Sequence, residues 1–187
     1  MVLISIIVGL GITHVLSALG SAVQRIRGHG PAIRLEAVYL TWVAFVFYWL
    51  VSFWWFEFKW RDIAPEFGVG LFLFLVLYAV ALFLLTVILV PHRVEVVDDS
   101  WEYFVSIRGW FYGGLLVINV IDLADSFMKG FEWGMRINYV VFWLTLTGAA
   151  VLGLKTRRRW VHMTLGITLL VYNVTFTTFD TPILGRW

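Results

Sequence analysis

Val69-Gly-Leu-Phe-Leu-Phe-Leu-Val-Leu-Tyr-Ala-Val-Ala-Leu-Phe-Leu-Leu85 carries no charge and is apolar throughout. Strands of a membrane barrel alternate apolar and polar positions over about ten residues, and this run does not alternate. It reads as a helix crossing a bilayer, which needs about 20 apolar residues at about 1.5 Å of rise each. Extended to its polar borders, the run covers about residues 68–91. The same reading places further spans at about 2–23, 37–57, 105–127, 137–154 and 161–179. The expected fold is all-α: six transmembrane helices in a compact bundle with short loops, a single transmembrane domain over residues 1–187.

Composition points the same way. Of the 187 residues, 61% are hydrophobic and 14% charged, and the mean hydropathy of +0.87 lies outside the range of a water-soluble domain. Six spans use nearly the whole length, so function is expected within the spans or at their rims. The net charge of +2 and pI near 9.0 do not indicate a nucleic-acid partner, because the basic residues are scattered among loops rather than gathered in a stripe. Cysteine is absent, which excludes disulfides and thiolate metal sites. No basic residue precedes Val2-Leu-Ile4, unlike the opening of a secretory signal, so the first apolar run is expected to remain as a span.

The basic residues set the orientation. Arg25, Arg27 and Arg34 follow span one, Arg93 and Arg108 flank the third loop, and Lys155 and Arg157–Arg159 follow span five. These loops share one side, whereas Lys59, Arg61, Lys129, Arg136 and Arg186 on the other are mixed with Glu57, Asp62, Glu66 and Glu132. The bias predicts a cytoplasmic basic side and both termini outside, with a bacterial inner membrane inferred from the short loops. Arg108, Arg157, Arg158 and Arg159 are expected at lipid headgroups; an ion pair of Arg108 with Glu102 or Asp99 is the alternative. Phe53-Trp-Trp-Phe-Glu-Phe-Lys-Trp60 reads as an aromatic belt at the outer interface, and His92–Tyr103 as a surface-lying stretch with Trp101 and Tyr103 dipping inward.

Span four carries Asn119-Val-Ile-Asp-Leu-Ala-Asp-Ser126. A carboxylate inside a span costs roughly 2.5 to 3.5 kcal/mol on insertion scales, so a partner, a wet cavity or a task is expected for it. Asn119, Asp122 and Ser126 fall at spacings of three and four and share a helix face, with Asp125 beside them. Asp125 is expected at the solvated outer interface. Asp122, about one turn deeper, reads as a neutral hydrogen-bond donor, as an ion or proton site, or as a partner of Arg136 or Lys129. Span six offers Thr164, Thr168, Tyr172 and Thr175 on one face with Asn173 one step around, lining water or bonding across helices. Asn138 and Thr145 form a weaker stripe on span five.

Span one bears Gly9, Thr13, Ser17 and Ser21 every four residues, a stripe along which another helix can approach closely. It also holds His14, about 13 residues and some 20 Å from the outer surface. A neutral imidazole bonded to a neighbouring helix competes with a ligand or proton role there. His29, His92 and His162 fall at cytoplasmic ends, so no second deep histidine completes a haem pair, and neither cofactor nor metal is expected.

The two halves echo one another. His14-Val-Leu-Ser-Ala-Leu-Gly-Ser21 aligns with Asn119–Ser126, Leu75–Val80 with Leu169–Val174, and Tyr39 with Tyr139. Three spans repeated in order give an inverted repeat, here residues 1–92 and 105–180. It would bring His14 and Asn119 to equivalent mid-membrane positions.

These readings favour permeation of an ion, proton or small solute along His14, Ser17, Asn119, Asp122, Asp125, Tyr172 and Asn173, in a dimer. The alternative is a non-catalytic accessory or assembly subunit of a larger membrane complex. No span shows a nucleophile with a base or a metal triad, which argues against an enzyme with a catalytic site in the membrane.

Overall fold

The computed structural model describes residues 2–29, 31–63, 68–91 and 97–180. The described residues form helices α1 (Val2–Ile26), α2 (Ala37–Glu57), α3 (Trp60–Ile63), α4 (Val69–Leu89), α5 (Ser100–Met128), α6 (Phe131–Gly134), α7 (Ile137–Lys155) and α8 (Arg159–Thr175), the last continuing as a π-turn over Phe176–Asp180. Five of these, α1, α2, α4, α5 and α7, are long and apolar enough to cross a membrane. Helix α8 has 17 residues and two hydroxyls bonded to its own backbone, and falls short of that length on its own.

Helix α2 lies innermost. It is apolar around its whole circumference, as a helix surrounded by others must be, and it packs on α1, α4, α5 and α8. Outside it, α1 packs on α4, α4 on α5, α5 on α7, and α7 on α8. Trp42 of α2 is fully buried and meets Phe111 and Tyr112 of α5 edge-on, with ring centroids 5.2 and 5.4 Å apart. Gly153 admits Tyr112 against α7: a Cβ there would collide with the tyrosine ring.

The basic loops meet at one end. Arg25 is buried and donates to the carbonyls of Pro31, Ala32 and Val97. Arg34 and Asp99 form a β-bridge, and Asp99 then caps α5 by accepting from the amides of Trp101 and Glu102. That cap starts α5 at Ser100, earlier than the expected border at about 105. Trp101 therefore does not dip toward lipid: it is buried against Phe104 and His162. The rest of the third loop, His92–Val96, lies outside the described residues. Arg108 donates to the carbonyl of Thr156 rather than pairing with Glu102 or Asp99. Arg157, Arg158 and Arg159 are exposed, and Arg159 reaches Glu36 at 3.4 Å.

The small-residue stripe of α1 faces outward. Thr13, Ser17 and Ser21 are exposed, and nothing stands within 4 Å of a Cβ built at Gly9. The opposite face of α1, with Ile4, Val8, Gly11 and Val15, makes the contact with α2 and α4, and Gly11 lets the Leu50 side chain of α2 approach closely.

Candidate functional site

The polar residues of the spans do not converge on His14. Its Nε2 lies 2.8 Å from the carbonyl of Val90, in the seam between α1 and the end of α4. Asn119 faces α7, donating to Thr147 Oγ1 at 2.8 Å, while Trp143 returns a bond to the Asn119 carbonyl at 2.9 Å. Tyr172 donates to the carbonyl of Asn138, and Thr145, Thr164 and Thr175 bond to carbonyls four residues back in their own helices. These bonds satisfy the hydroxyls locally, as threonines in membrane helices commonly do.

A different group gathers at the end away from the basic loops. Asp122 accepts two tyrosine hydroxyls, Tyr78 of α4 on Oδ1 at 2.7 Å and Tyr139 of α7 on Oδ2 at 2.8 Å. One turn on, Asp125 accepts the indole N–H of Trp60 at 2.9 Å and the ammonium of Lys129 at 2.5 Å. Lys129 donates also to Glu57 Oε1, at 2.9 Å. Glu57, Asp125 and Lys129 are all buried, at 3%, 2% and 6% exposure, which departs from the expected solvated position of Asp125. The reason lies in α3 and α6. Trp60 and Trp133 from these short segments cover that end of α5 and remove it from water.

Glu57, Tyr78, Asp122, Asp125, Lys129 and Tyr139 border a cavity of about 40 Å³ between α2, α4, α5, α7 and α8. Water needs about 10–15 Å³ of such space, so the cavity has room for a few water-sized particles. Glu57 Oε2 and Asn173 Nδ2 are buried without a protein partner, and both residues line it. Phe53 and Phe56, expected in an interface belt, turn toward the cavity instead, whereas Trp54 stays exposed and bonds Ser5 on α1.

Above the cavity is a wider space of about 340 Å³ lined by Lys59, Glu132 and Arg136. Lys129 and Trp133 border both spaces. The Trp133 ring is held by two cations, with Lys59 Nζ 3.9 Å and the Arg136 guanidinium 4.5 Å from its centroid. Arg136 thus serves Trp133, and it is Lys129 that pairs with an acid, Asp125 rather than Asp122.

Of the expected site residues, the cavity unites Asp122, Asp125 and Asn173, and leaves His14, Ser17, Asn119 and Tyr172 elsewhere. Sequence reasoning missed Glu57 and Trp60 and saw Tyr78 and Tyr139 only as repeat matches. Tyr78 had a legible signal, as the single hydroxyl between Val69 and Leu85. No family model, curated protein or solved structure matches this chain.

Proposed function

We propose that this chain mediates permeation of protons or small cations, which reach the acidic cavity from the side opposite the basic loops. The observation that supports this reading is the placing of Lys129 and Trp133 between an outer space and a buried cavity lined by Glu57, Asp122 and Asp125. Buried acids in a membrane protein are costly to keep and commonly mark an ion or proton route. The cavity's about 40 Å³ argues against larger solutes. Toward the basic end the interior is filled by Trp42, Phe104, Phe111 and Tyr112, so a complete path requires those rings to part, as in alternating access.

The same proposal includes α8 and its π-turn as a sixth span, both termini outside a bacterial inner membrane, and a dimer. The α1–α2 and α5–α7 seams favour the inverted repeat, which makes them equivalent. The α1–α4 seam opposes it, because its counterpart, α5 with α8, is not among the main seams of the described residues.

The test is flux of protons, sodium, potassium and ammonium into proteoliposomes. Wild type is expected to exceed empty vesicles and Asp122→Asn to fall toward them; absence of flux from wild type for all four ions retires the reading. The accessory-subunit reading is favoured by one observation, the sealing of both Asp122 oxygens by tyrosines that tie three helices together. On that reading Asp122→Asn changes stability and no flux exists.

A further inference from the structure

We propose that the cavity is a binding site for a small monovalent cation of ammonium or sodium size, held by Glu57 Oε2 beneath a cage of aromatic rings. The inference rests on the permeation reading and names the ligand class of its cavity.

Charge comes first. Three carboxyl groups, Glu57, Asp122 and Asp125, line the cavity with one ammonium, that of Lys129, which pairs with Glu57 and Asp125, so the cluster when ionised is short of positive charge. Hydrogen bonds already occupy both oxygens of Asp122 and both of Asp125, and Lys129 occupies Glu57 Oε1. Glu57 Oε2 remains, on a side chain only 3% exposed and without a protein partner. A buried carboxylate oxygen left in this way calls for a cationic or hydrogen-bonding companion.

Asn173, 4% exposed, borders the same space, and its Nδ2 also has no partner. A half-turn of that amide presents its carbonyl oxygen instead, a second neutral ligand for a cation. Trp49, Phe53, Phe142 and Phe176 supply the walls. Aromatic faces attract cations by their quadrupoles, most strongly where water is excluded.

Size and ligand number narrow the class. About 40 Å³ gives room for a few water-sized particles and favours a small cation over a quaternary ammonium. Among the described residues no three acidic or histidine groups converge as metal ligands, so a divalent ion seeking six or more oxygens is poorly served. A weakly hydrated monovalent ion requires less.

The experiment titrates the full-length protein in detergent with ammonium, sodium or choline chloride at constant ionic strength, reading tryptophan fluorescence and thermal unfolding. Ammonium or sodium should give a saturable response and choline none. Glu57→Gln should weaken the apparent Kd at least tenfold. Asn173→Leu, which leaves every charge in place, should weaken it as well, and Trp54→Phe, remote from the cavity, should bind like wild type. An identical response to choline, or unchanged affinity in folded Glu57→Gln and Asn173→Leu, overturns the proposal. Binding is read without flux, so a protein that binds but does not conduct retires only the permeation reading.

Discussion

Tyr78 donates its hydroxyl to Asp122 Oδ1 across 2.7 Å, joining the most apolar helix of the chain to its most acidic one. Helix α4 offers no other side-chain hydroxyl on this face, so the carboxylate has no substitute donor there. Tyr78→Phe is expected to cost about 1–3 kcal/mol, the range for leaving a buried acceptor unsatisfied. Unfolding in mixed micelles should show it. In the Tyr78→Phe, Asp122→Asn double variant the loss should be well below the sum of the singles, because both remove one bond. Strict additivity would show that the two side chains do not interact.

Lys129 is the single cation within hydrogen-bond reach of both Glu57 and Asp125 among the described residues. Lys129→Met leaves two buried carboxylates without it, and about 3–5 kcal/mol of stability should be lost. Adding Glu57→Gln to that variant should restore part of the loss, since one charge disappears. A Lys129→Met protein that unfolds like wild type would exclude the buried ion cluster.

Two glycines of one helix separate packing from propensity. A Cβ at Gly153 would collide with the Tyr112 ring, whereas one at Gly148 meets nothing within 4 Å. Gly153→Ala should therefore destabilise by about 1–3 kcal/mol through overpacking, and Gly148→Ala should be neutral or stabilising through helix propensity. Equal effects at the two positions would mean that α5 and α7 do not approach as described.

The lack of cysteine makes topology directly measurable. Lys155 sits at the basic end, while Phe131, 71% exposed, sits beside the acidic cavity. Phe131→Cys should react with a membrane-impermeant maleimide added to intact cells, and Lys155→Cys only after the membrane is opened. Labelling of both from the same side contradicts the proposed orientation.

The sequence by itself located the helices. The borders at about 37–57, 68–91 and 137–154 fall within a few residues of α2, α4 and α7, because apolar length is a local property and the bilayer makes it the dominant one. It also gathered the basic loops, since alternating spans leave them no other arrangement. Tertiary structure decided which polar groups meet. Glu57 and Lys129 read as outer-loop charges, and Asp125 as a wet helix end, until Trp60 and Trp133 close over them. His14 read either as a pathway residue or as an imidazole bonded to a neighbouring helix, and its Nε2 stands 2.8 Å from the carbonyl of Val90 at the end of α4. Helix rotation is set by the packing of all faces at once, and burial of a charge depends on segments distant in the chain, so neither can be read from local spacing.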